Sequence, residues 1–122
     1  MTTVKSYTDL EQSKKLAEIL PLKSADMYYW CGEDLRIGGY RAMNIDYDIP
    51  CWSLAALLNI LPVSCDDGQH CLALINHNPN EKTEWLCAYE DDKGNLMMEC
   101  YADSQIDACV AMIEKLHERK ML

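Results

Sequence analysis

The stretch Pro50-Cys51-Trp52-Ser53 carries the most reactive chemistry in the sequence. A cysteine in the first turn of a helix gains thiolate character, because unpaired N–H groups and the helix dipole stabilise the anion. A thiol nucleophile also needs a general base, and the base needs a group to orient it. His70 and His77 are candidate bases, with Asn78 or Asp91 as the orienting partner. Brought together, Cys51 and one of these histidines would form a nucleophile–base pair for acyl transfer. The competing reading is that Cys51 is a small buried hydrophobe and the histidines are polar residues at a strand start and a turn.

Other chemistries are poorly served. Glu11, Glu18, Asp103 and Asp107 invite a carboxylate-pair reading, but nothing local brings two of them to the separations of a glycosidase pair. Gly38-Gly39 lacks the spacing and the lysine of a phosphate loop, and no serine stands in a nucleophile elbow. Seven cysteines stand at 31, 51, 65, 71, 87, 100 and 109, with no C-x-x-C pair and no closely spaced histidine pair. A structural zinc site is therefore not expected, and no metal or cofactor is called for. The odd cysteine count and the apolar settings of most of them fit a reduced, cytoplasmic protein.

The aromatic residues point to binding rather than catalysis. Tyr28, Tyr29, Trp30, Tyr40 and Tyr47 cluster in the first half, and the chain has no phenylalanine. Tyrosine and tryptophan combine an apolar body with a polar tip, which suits an interface or a pocket wall. Tyr28, Trp30, Tyr40 and Tyr47 are the candidate binding residues, against the alternative of ordinary half-buried strand positions.

Composition narrows the partners. The 122 residues are 49% hydrophobic and 25% charged, enough for one globular domain spanning 1–122. Twenty acidic residues against eleven basic ones leave a formal charge of −9. Such a surface repels phosphate backbones and anionic lipid, so neither nucleic acid nor membrane is an expected partner. A protein partner or a small ligand remains. The acids are scattered, with short clusters at Glu33-Asp34, Asp66-Asp67 and Glu90-Asp91-Asp92 that read as turns. No apolar run approaches a membrane span, and the first fifteen residues have no signal-peptide character.

The elements that must position these residues follow from local signals. Thr8-Asp9-Leu10-Glu11 fits a capping box for a first helix, which Pro21 stops. Met27–Trp30 reads as a strand, and Leu35–Met43 as a second, weakened by Gly38-Gly39. Pro50–Leu61 is rich in leucine and alanine and apolar nearly all round, which predicts a central buried helix over 50–61. Three extended runs follow, 70–76, 83–89 and 96–101, joined by connections short enough for hairpins. Ile106, Cys109, Val110, Ile113 and Leu116 recur at helical spacing and predict a last helix starting near Asp103 or Ser104. The order α-β-β-α-β-β-β-α predicts an α+β fold, with an antiparallel sheet of about five strands and three helices.

Two resemblances attach to these residues. A Cys-Trp at the start of a buried helix, followed by an antiparallel sheet bearing a histidine, resembles papain-like cysteine peptidases. It implies a hydrolase using Cys51 and His70 or His77, although the glutamine such enzymes use for an oxyanion hole has no clear counterpart. The phrases SYTDLEQSKKLAEILPLKSADMYYW, IPCWSLAALLNILP and DACVAMIEKLHE resemble a family of small proteins encoded by gut Bacteroidetes and by their phages and mobile elements. That resemblance implies a bacterial or phage cytoplasmic setting and brings no activity with it. Three functions follow in order: a non-enzymatic accessory protein that binds a protein or ligand, a small cysteine hydrolase, and an oligomerisation module.

Overall fold

A computed structural model describes residues 5–65, 68–76 and 84–122. The fold is α+β, and the described residues form three α-helices and two antiparallel sheets of three and four strands. One sheet of about five strands was expected, and the structure corrects this to seven strands in two sheets. The chain separates into two compact units, one of Ser6–Ile60 and one of Leu61–Leu122 joined by Lys5.

The 6–60 unit begins with α1 (Leu10–Ile19). Its capping box is shifted one residue from the sequence signal. Asp9 accepts from the Gln12 N–H at 2.8 Å, and the Gln12 side chain returns a bond to the Asp9 N–H at 3.1 Å. Thr8 is thereby released from capping and is fully buried instead. A single 3-10 turn at Leu22–Ser24 leads into β1 (Met27–Trp30), which forms a hairpin with β2 (Asp34–Ile37). The second strand was expected to reach Met43 but ends at Ile37. Gly38 has φ +152, and a Cβ there would stand 3.1 Å from that of Ala42. The chain turns away at this point, as only glycine allows without strain.

The expected helix over 50–61 is also corrected. Ile49–Cys51 is a third strand, β3, lying on the other side of β1 with Pro50 opposite Tyr28. The helix α2 covers only Leu54–Ile60, and of its residues only Leu57 is buried. Ser53 decides where it starts. Its N–H and hydroxyl both donate to the Asp26 carboxylate, and its hydroxyl oxygen accepts from the Ala56 N–H at 3.2 Å. A serine cap with a carboxylate behind it outweighs the proline start signal, leaving Pro50 on a strand position without an N–H to satisfy.

In the second unit the strands run β4 (Ser64–Cys65), β5 (His70–Asn76), β6 (Trp85–Glu90) and β7 (Leu96–Ala102), in that spatial order. The inner strand β6 buries Leu86, Cys87, Ala88 and Tyr89, as apolar residues on both faces predicted. Met98, at φ +55, is the extra residue of a bulge in β7. The last helix, α3 (Gln105–Glu118), is capped by Ser104 and packs against β6 and β7. Its Ile106, Cys109, Ile113 and Leu116 are fully buried, matching the helical stripe. Lys5 pairs with Asp107 in its first turn at 2.7 Å.

Candidate functional site

Cys51 sits on β3 opposite Met27 and is fully buried. Its thiol donates to the Thr8 carbonyl at 3.4 Å, and the Thr8 hydroxyl lies 3.4 Å from the sulfur. The same hydroxyl bonds Ser13 Oγ at 2.8 Å and accepts from the Trp52 N–H at 3.1 Å, while Tyr29 donates to the Thr8 carbonyl at 2.8 Å. This is a buried polar knot that holds the segment before α1 against β3. Burial pushes the Cys51 thiol above its ordinary range, opposed by bonds from Thr8, Ser13 and Tyr29. Burial, followed by the neighbouring Cys51, pushes the Tyr29 hydroxyl up to about 12. A nucleophilic cysteine needs the reverse shift and an open face.

The groups acting on this thiol are Thr8, Ser13, Tyr29 and Asp26, none of them a histidine. His70 begins β5 in the other unit. The remaining candidates, His77 and Asn78, lie outside the described residues. These facts predict a thiol reactivity pattern. Cys31 and Cys71 are exposed and should alkylate first in native protein, with Cys51 protected until unfolding. Peptide mass spectrometry after brief iodoacetamide treatment at neutral pH reads the order directly. Rapid labelling of Cys51 would restore the nucleophile reading.

His70 lines a polar cleft of about 490 Å³ with Gly68, Gln69, Asp91, Asp92, Lys93 and Asn95. Asp91 builds the β6–β7 turn here. Its carboxylate accepts from the Lys93 N–H at 2.9 Å, the Asn95 N–H at 2.8 Å and the Asn95 amide at 3.0 Å. The Asn95 backbone and side chain hold its carboxyl below the usual range, and His70 adds a smaller effect. Because the folded-state pKa is depressed, this contribution is fully present above the ordinary aspartate pKa of about 3.9 and is lost as pH falls through the folded value. Asp91→Asn should remove that component of the acid-unfolding curve while leaving the rest, which a pH titration followed by circular dichroism measures. Among the described residues, no three His, Cys, Asp or Glu side chains stand close enough to hold a metal ion. No helix among them is long and apolar enough to cross a membrane.

The 6–60 unit carries a different kind of site. Lys14 and Ala17 of α1, Leu22, Met43, Ile45 and Asp48 of the following segments, and Ile49 and Pro50 of β3 line a cleft of about 270 Å³. The wall from 43 to 48 has no regular secondary structure, and Asp48 holds its shape. The Asp48 carboxylate is buried and accepts from the Cys31 and Asn44 N–H groups, both at 2.8 Å. The Asn44 carbonyl accepts from the Tyr47 and Asp48 N–H groups, and its side chain accepts from the Asp46 N–H. With both carboxylate oxygens of Asp48 committed to the loop, the remaining lining is mostly apolar.

None of the four aromatic candidates lines this cleft. Tyr47 is 68% exposed and stands in the same loop as Ile45, which is 65% exposed. Trp30 and Tyr40 are each 48% exposed, and Tyr28 is half-buried within β1. The Arg36 guanidinium sits 5.0 Å over the Trp30 ring. Leu22, Met43, Ile45 and Ile49 were not anticipated as site residues. Only Ile45 carried a signal, in Asn44-Ile45-Asp46-Tyr47-Asp48, where an isoleucine and a tyrosine sit among turn-forming residues that give them no core to enter. Comparison of the chain with protein families, with curated proteins and with solved structures gives no match.

Proposed function

We propose that the chain is a non-enzymatic accessory protein whose 6–60 unit binds a protein partner by taking one bulky apolar side chain into the cleft lined by Leu22, Met43, Ile45, Ile49 and Pro50. The cleft itself carries this reading: an apolar recess with a pinned wall, beside solvent-exposed Ile45 and Tyr47. At about 270 Å³ it falls just below the range of roughly 300–1,000 Å³ typical of small-molecule pockets. It suits an anchor residue of a partner better than a cofactor. The formal charge of −9 favours a basic partner surface, which long-range attraction steers to the encounter. A bacterial or phage cytoplasmic setting fits such a role.

The hydrolase reading has little to stand on, since Cys51 is enclosed and its thiol is shifted toward the protonated form. Selection of a random peptide library on the immobilised chain tests the binding reading. Enrichment of peptides with a leucine, methionine or aromatic residue flanked by lysine or arginine supports it. A selection that enriches nothing, or acidic peptides, contradicts it.

A further inference from the structure

β2 ends the three-stranded sheet, with β1 on one side and no strand on the other among the described residues. Asp34, Arg36 and Ile37 are exposed, Ile37 to 87%, and Leu35 is half-buried. The register fixes which backbone groups face the open side. The Gly38 N–H donates to the Asp26 carbonyl at 3.0 Å, one step beyond the Met27–Ile37 pair. Bonded and non-bonded pairs alternate along an antiparallel ladder, so Tyr28–Arg36 and Trp30–Asp34 are the bonded ones. Tyr29–Leu35 and Met27–Ile37 are not. β3 agrees with this phase: Pro50, which has no N–H, stands opposite Tyr28, whose backbone groups face β2. Leu35 and Ile37 therefore turn both N–H and C=O away from β1, toward the open edge.

An open edge is a template for another strand, and charged side chains ordinarily keep one out. Here the two charges are opposite in sign and stand on either side of Leu35. A second β2 running antiparallel must set outward-facing residues against each other. Leu35 against Ile37 would place Arg36 opposite Arg36 of the second copy. Ile37 against Ile37 would leave Asp34 and Arg36 with no opposite charge across the edge. Leu35 against Leu35 places Asp34 of each copy opposite Arg36 of the other. Hydrogen bonding and charge thus select one register. We infer that the chain forms a homodimer through β2, with the two-fold axis at Leu35, joining two three-stranded sheets into one of six strands. Residues directly opposite share a face, so one face carries the row Tyr29, Leu35, Leu35, Tyr29 across the axis. The other carries Tyr28 and Arg36 of one copy beside Asp34 and Trp30 of the second. Each edge is consumed by the other, so assembly closes at two copies. None of the β2 residues lines the 6–60 cleft, so dimerisation and the binding proposed for that cleft can fail separately.

Sedimentation equilibrium of the full chain tests this. The mean mass should rise from 14.0 kDa at low concentration toward twice that value by about 1 mM, since a small interface makes a weak dimer. Asp34→Arg and Arg36→Asp should each weaken dimerisation by about tenfold or more, because two attractive cross-strand pairs become repulsive. Mixed in equal amounts, the two variants again oppose unlike charges at both pairs and should dimerise with each other as the parent chain does. A misfolded variant would not show that rescue. Amide hydrogen exchange of the unaltered chain gives a second reading that needs no variant. Exchange at the Leu35 amide should slow as concentration rises, while the Arg36 amide, bonded to β1, is slow throughout. A parent chain that stays monomeric at that concentration, or assembly beyond two copies, would overturn the inference. So would a mixture no more dimeric than its components, or a Leu35 amide indifferent to concentration.

Discussion

Replacing Trp52 by alanine is expected to lower stability by about 3–5 kcal/mol, the usual cost of removing a large aromatic from a closed core. Trp52 is fully buried, and its indole N–H donates to Ser24 Oγ at 3.0 Å. Its backbone is bonded as well, with its carbonyl accepting from Thr8 N–H at 2.9 Å and its own N–H donating to Thr8 Oγ1. The side chain therefore stands between the segment before α1 and the 3-10 turn, and its loss removes both packing and a polar tether. Against a typical domain stability of about 5–15 kcal/mol, such a loss leaves the protein marginal. Trp52→Phe keeps most of the volume and gives up the indole bond, so its cost should be near 1 kcal/mol. Urea denaturation of both variants measures the pair. A Trp52→Ala cost below that of Trp52→Phe would show that this region is not a packed core.

Ile45→Asp is expected to do the opposite, weakening binding by about tenfold or more with little change in stability. Ile45 is mostly exposed, and exposed substitutions away from caps and special backbone usually stay within about 0.5 kcal/mol. At the cleft, however, the carboxylate would meet a partner's apolar anchor and remain desolvated. Loss of an interface anchor costs about 2 kcal/mol or more, roughly a thirtyfold drop in affinity. Fluorescence anisotropy with a peptide recovered by library selection reads the affinity, and thermal denaturation reads the stability. A melting temperature that falls in step with the affinity would place Ile45 in the fold rather than the interface.

Much of the architecture was legible because local and tertiary signals agreed. The stripe Ile106, Cys109, Ile113 and Leu116 is both a helical pattern and a core face, and the structure uses it as both. The pattern of Trp85–Tyr89, apolar on both faces, likewise revealed an inner strand. The middle of the chain was misjudged for a definable reason. Pro50 and the leucine-rich run after it are helix signals within one window, whereas the Asp26–Ser53 bonds that delay α2 span 27 residues. The pairing of Ile49–Cys51 with β1 is equally non-local.

The same limit governed the site. Cys51 looked like a helix-terminal thiol because the residues that enclose it, Thr8, Ser13 and Tyr29, are distant in sequence. The cleft residues Leu22, Met43, Ile45 and Ile49 come from segments with no shared periodicity, so no pattern could gather them. The aromatic candidates belong to the same 6–60 unit as the cleft but do not line it. Trp30, Tyr40 and Tyr47 are exposed, whereas the recess is lined mostly by apolar, non-aromatic residues.

Whether the 6–60 cleft receives an apolar side chain can be read from amide chemical shifts of the labelled chain titrated with N-acetyl-leucinamide and N-acetyl-tryptophanamide. Shifts are expected to saturate together at Lys14, Ala17, Leu22, Met43, Ile45 and Ile49, with N-acetyl-alaninamide producing none. Shifts absent from these residues, or centred on His70 and Asp91–Asn95 instead, would contradict it.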